Sequence, residues 1–112
     1  MSGSNPSNDA SPSGGGTANP TDCLSLTGRA TIMSPSPAVL PLLSVGEIID
    51  ISLRSVIGPL QAYRFDGQFI GNVFLPGNLP ATFIACINDA NDYKAKITSL
   101  TGGLCELFIS LR

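Results

Sequence analysis

The side chains able to do chemistry in this chain are few, and their types exclude most reactions. No histidine is present, so neither a Ser-His nor a Cys-His pair can form. The commonest general base near neutral pH is therefore missing. Lysine occurs only at positions 94 and 96, in the run Tyr93-Lys94-Ala95-Lys96-Ile97. Alternation there places both ammonium groups on the outer, solvated face of a strand. The carboxylates sit mostly at turns: Asp66 in a hairpin, Asp89 and Asp92 beside a helix end. Calcium wants roughly six to eight oxygen ligands, and turn chemistry alone accounts for aspartate at those positions. Cys23, Cys86 and Cys105 are the three cysteines. They contain no CxxC pair and cannot complete a four-ligand zinc site without histidine. Gly14-Gly15-Gly16 has no strand before it and no helix after it, so it is not a phosphate cradle. The reading is a non-enzymatic protein with no metal and no cofactor.

The odd cysteine count and the absence of a secretory pattern in Met1 to Thr21 predict buried thiols in a reducing, cytoplasmic compartment. No apolar stretch approaches the roughly 18 residues of a membrane span.

What remains is a surface. Tyr63, Arg64, Phe65, Phe69 and Phe74 cluster around Asp66-Gly67, and Lys94 and Lys96 line a later strand. Aromatics beside basic groups on a sheet either stack bases and hold phosphates or anchor a protein interface. The blander alternative puts Tyr63, Phe65 and Phe69 in the core and leaves the lysines as a solvated strand face. Tyr63, Arg64, Phe74, Lys94 and Lys96 are the candidate contact residues, with Asp66, Gly67 and Gly71 serving the turn that presents them.

Charge narrows the choice of partner. Only 12% of the 112 residues are charged and the formal net charge is −2, against roughly 25% charged residues in an ordinary globular chain. A surface so poor in charge exposes hydroxyl, amide and apolar groups, which favours a protein partner or self-association. Beyond Cys23, the basic residues Arg29, Arg54, Arg64, Lys94, Lys96 and Arg112 are balanced by Glu47, Asp50, Asp66, Asp89, Asp92 and Glu106. That balance allows a local basic patch and weighs against a broad nucleic-acid footprint.

The elements that must position these groups follow from periodicity. Residues 1–21 are rich in Gly, Ser and Pro, with alanine the one apolar type after Met1. They read as a disordered tail, followed by a domain over 22–112. From Cys23, Leu24, Leu26, Ala30 and Ile32 alternate with polar residues as a first strand. Gly28 falls on its apolar face and marks a bulge or a close backbone approach. Pro35, Pro37 and Pro41 break the pattern, leaving room for a short helical turn at Ala38-Val39-Leu40 whose apolar residues either plug a barrel end or form a docking ridge. Further strands are expected over 47–54, 60–65 and 68–74, with Asp66-Gly67 between the last two as a type I′ turn. Pro80 opens a helix whose stripe is Leu79, Phe83, Ile84 and Ile87. Strands over 92–100 and 104–111 are joined at Thr101-Gly102-Gly103. The order β-β-β-β-α-β-β predicts a small antiparallel sheet or barrel with one helix over an opening.

The stretch Ala62-Tyr63-Arg64-Phe65-Asp66-Gly67-Gln68-Phe69-Ile70-Gly71-Asn72-Val73 has a further reading. Together with the helix around Phe83 to Ile87 and Tyr93-Lys94-Ala95-Lys96-Ile97, it resembles the HIRAN family over roughly residues 58–109. The matching positions are Asp66, Gly67, Ile70, Gly71, Tyr93, Ala95 and Ile97. The resemblance implies a small β-barrel that recognises DNA ends. The family's Asn-Pro-x-Asp-x-Asn-Ala-like run falls here on Ile57-Gly58-Pro59-Leu60-Gln61-Ala62, which lacks its polar residues. The leading expectation is a non-catalytic protein-binding module. A nucleic-acid-binding barrel of the HIRAN kind and a self-assembling structural protein are the alternatives.

Overall fold

The computed structural model describes residues 20–112. Six antiparallel strands close into a barrel in the order β1-β4-β3-β2-β5-β6. They are β1 (Gly28–Ile32), β2 (Ile48–Leu53), β3 (Leu60–Tyr63), β4 (Phe69–Phe74), β5 (Tyr93–Thr101) and β6 (Leu104–Leu111). Two helices accompany them, α1 (Pro20–Ser25) and α2 (Leu79–Asn88). Closure pairs β1 with β6 along its length and with β4 through Thr31 and Ile32.

The two-residue rhythm does what it must in a closed sheet. Ala30, Ile32, Ile49, Ile51, Ala62, Ile70, Tyr93, Ala95, Ile97, Cys105, Leu107 and Ile109 are buried inside. Most of their chain neighbours face outward; Gln61 and Gly71 are buried. Inside, Phe83 of α2 meets Tyr93 edge to face, with ring centroids 5.1 Å apart, an arrangement favoured by the ring quadrupoles. α2 lies across the end of the barrel where β1 begins and β6 finishes. A Cβ on Gly28 would stand 3.1 Å from the Phe83 ring and 3.3 Å from Leu75. The missing side chain is thus the close approach expected at this position. The opposite end is plugged by the proline-rich connection, where a 3-10 turn (Leu40–Leu42) is flanked by buried Val39 and Leu43.

Four expectations are corrected. The first strand starts at Gly28, not at Cys23, because Cys23 is held elsewhere. Its sulfur is bonded to Cys86 of α2, and its carbonyl accepts a 2.6 Å hydrogen bond from the buried Tyr93 hydroxyl. These two ties draw residues 20–25 into a short helix beside α2, and Leu24 is left exposed. The same bond overturns the expectation of three free thiols, since among the described residues only Cys105 is free.

The type I′ turn expected at Asp66-Gly67 is not formed. Gly67 has a positive φ of 88° while Asp66 is not in the left-handed region. Arg64 and Gln68 close a three-residue loop through Arg64 N–H to the Gln68 carbonyl and Gly67 N–H to the Arg64 carbonyl. This is a type I turn with a glycine bulge. The primed geometry belongs to Gly102-Gly103, with φ of 62° and 80°, between the paired residues Thr101 and Leu104. Finally, Phe65 and Phe69 are not core: both are exposed at the hairpin. The expected tail lies outside the described residues, except that Pro20 and Thr21 belong to α1.

Candidate interaction surface

The outward residues of neighbouring strands fall into rows, and the rows differ in how far their polar groups satisfy one another. One row runs through Phe69, Tyr63, Asp50, Lys94 and Ser110. Its members are committed to each other. Tyr63 stacks at a tilt on Phe69 with centroids 5.5 Å apart and donates its hydroxyl to Gln61 Oε1. Gln61 in turn donates to Asn72 Oδ1. Lys94 Nζ donates to Ser110 Oγ at 3.3 Å. Asp50 pairs with the Arg112 guanidinium, whose Nε reaches Asp92 at 2.9 Å. Arg64, at the end of this face, is held by Glu47 at 3.2 Å and Asp66 at 3.3 Å. Its guanidinium also lies 5.2 Å above the Phe65 ring. Only 15% of the Arg64 side chain is exposed. A cation spent on two carboxylates has little field left for a ligand.

The neighbouring rows, two residues further along β2, β5 and β6 and reaching β1, are different. A second row crosses β2, β5, β6 and β1 through Ile48, Lys96, Phe108 and Arg29. A third passes from Glu106 to Thr31 and Phe74. Among the described residues, Arg29, Lys96 and Glu106 take part in no ion pair, and all three are exposed. Phe74 is 60% exposed and Phe108 39%, large apolar areas to leave in water. Between these rows lies an open groove of about 610 Å³, lined among others by Arg29, Thr31, Phe74, Pro76, Glu106 and Phe108. It forms where β4 turns away from β1 after two paired residues, Thr31 with Phe74 and Ile32 with Val73. The start of β1 then has only β6 beside it.

The five expected contact residues are therefore divided. Tyr63, Arg64 and Lys94 stand on the self-satisfied face. Phe74 lines the groove, and Lys96 is the cross-strand neighbour of its Phe108. Asp66 and Gly67 form the hairpin turn. Gly71 instead lies where a Cβ would come within 2.6 Å of Ile32 Cγ2, so it serves packing between β4 and β1. Arg29, Glu106 and Phe108 were not among the expected residues. Each was visible as the polar or outward member of an alternating strand, but their convergence needs the pairing of β1 with both β6 and β4.

Reactive chemistry is sparse here. Burial, with Glu47 adding repulsion, pushes the Cys105 thiol up to about 11, which keeps it protonated and unreactive. The described residues contain no group of three or more His, Cys, Asp or Glu able to hold a metal ion. No described helix is long and apolar enough to cross a membrane. No family model, curated protein or solved structure matches this chain.

Proposed function

We propose that this protein is a non-catalytic binding module that docks a protein partner on the barrel wall over β1 and β6. One observation carries the reading: that wall combines two exposed phenylalanines with charged groups that form no ion pair among the described residues, whereas the neighbouring row satisfies its own polar groups. Exposed aromatics in a shaped recess are the usual anchors of an interface, and charges at its rim set orientation and rate. The Cys23–Cys86 bond supports an oxidising compartment in place of the cytoplasmic one expected from the cysteine count.

The test is a crosslinking pull-down from the native host with three proteins: wild type, Phe74→Ala plus Phe108→Ala, and Tyr63→Ala plus Arg64→Ala. The first pair of substitutions is expected to abolish capture of the partner and the second to leave it intact. Identical captured sets from wild type and from Phe74→Ala plus Phe108→Ala would reject the docking face. The HIRAN-like alternative draws on the same wall, since Phe74 and Phe108 lie near Arg29 and Lys96. Against it, Arg64 and Arg112 are already neutralised by carboxylates. Self-assembly draws on apolar residues exposed at other places, Val56 and Ile57 among them. Light scattering that shows a fixed oligomer favours that alternative over a heterologous partner.

A further inference from the structure

We infer that the groove over β1 and β6 takes an extended, acidic peptide segment, with two carboxylates flanking an aromatic or aliphatic side chain. The inference rests on the reading of this wall as the docking face, and it adds the chemistry of what docks.

The argument starts from the second row. Lys96, Phe108 and Arg29 are successive cross-strand neighbours, so two cations stand on either side of an exposed phenylalanine. Neighbouring strands place paired Cα atoms roughly 5 Å apart, which puts the two cations about 10 Å from one another at their bases. An extended peptide rises roughly 3.3 Å per residue. Side chains on one face recur at every second residue, so carboxylates at i and i+4, roughly 13 Å apart, face the same way with one side chain between them. The long side chains of Arg29 and Lys96 span the roughly 3 Å of difference. Neither cation has an intramolecular carboxylate among the described residues, so a ligand carboxylate displaces water alone. A side chain between the two acids falls onto Phe108, with Phe74 across the groove.

Glu106 decides between acidic classes of ligand. It is exposed on the same strand face as Phe108, two positions away, and lines the groove. A nucleic acid carries a negative charge at every nucleotide and cannot avoid it. A peptide can set its two carboxylates over Arg29 and Lys96 and place a hydroxyl or amide residue over Glu106.

The full chain, panned against a phage-displayed library of random peptides, provides the probe. Wild type is expected to enrich sequences with Asp or Glu on both sides of an apolar residue. Synthetic versions of these should bind Arg29→Glu plus Lys96→Glu at least tenfold more weakly. Arg29→Gln plus Lys96→Gln should give an intermediate loss, and the doubly reversed protein should itself enrich basic sequences. Equal binding of the acidic peptides to wild type and to both charge variants would overturn the inference. So would enrichment of neutral or basic sequences by wild type. If those neutral or basic peptides are still lost with Phe108→Ser, the docking face stands and only its acidic preference fails. If Phe108→Ser keeps all binding, the docking face fails as well. Tighter binding of a single-stranded thymidine oligomer than of any peptide, lost on charge reversal, would overturn the inference in favour of nucleic acid.

Discussion

Replacing Cys23 and Cys86 together by alanine removes a link between residues 63 positions apart. The unfolded chain then recovers the freedom that the closed loop denied it. The chain-entropy relation for a loop of that length gives about 4 kcal/mol at 25 °C. Both cysteines are fully buried between the helices and the barrel end, so the alanines cannot recover the stability through solvation. For a domain of this size each kcal/mol moves the melting midpoint by roughly 4–8 °C. The double variant should therefore melt on the order of 15–30 °C below wild type. Reduction of wild type with a small thiol should produce a similar fall, and should leave the midpoint of the variant unchanged. The assay is thermal unfolding by circular dichroism with and without reductant, paired with alkylation of the unreduced chain in denaturant. One modified cysteine is expected, Cys105. Three modified cysteines, or equal midpoints in oxidised and reduced wild type, would refute the reasoning.

Three further outcomes follow from single contacts. Tyr93→Phe deletes the hydroxyl that donates to the Cys23 carbonyl, leaving that acceptor the longer 3.4 Å bond from Leu26 N–H; urea unfolding should show a loss of about 0.5–1.5 kcal/mol. Gly71→Ala drives a methyl against Ile32 Cγ2 at 2.6 Å and should cost about 1–3 kcal/mol. Ile32→Ala in the same chain removes Cγ2, so its cost should not fully add to that of Gly71→Ala, because the two positions share that contact. Cys105 is protonated in the native state up to about 11, while its ordinary value is 9.0. Above that ordinary value the unfolded state loses the proton first and so binds fewer. Stability is therefore full below about pH 9 and falls as pH rises from there toward 11. Cys105→Ala should flatten that limb of the pH–stability curve measured by chemical denaturation.

Much of the barrel was legible without coordinates because its signal is local. Alternation in residues 93–98 and 104–111 set which side chains turn inward, up to the bulge that flips Ser99 and Leu100, and Pro80 with Leu79, Phe83, Ile84 and Ile87 set the helix. The glycine at 28, sitting where an apolar side chain belonged, marked the approach of α2. Burial follows from such patterns because one face of a strand must leave water.

The remainder depended on residues far apart in the chain. Cys23 and Cys86 carry no spacing that says they meet, and their bond turned an expected strand into a helix. Local propensity at Asp66-Gly67 was equally compatible with two hairpin geometries, and the register of β3 on β4 selected the bulged one. The candidate surface was the least legible. Tyr63 and Arg64 stand beside exposed aromatics in the sequence, yet Gln61 and Glu47 take up their polar groups. Arg29, Phe108 and Lys96 belong to three strands and become neighbours only when β1 closes the barrel against β6. Alternation decides whether a side chain faces inward or outward; barrel closure decides which outward groups lie close enough to neutralise one another and which stay free for a ligand.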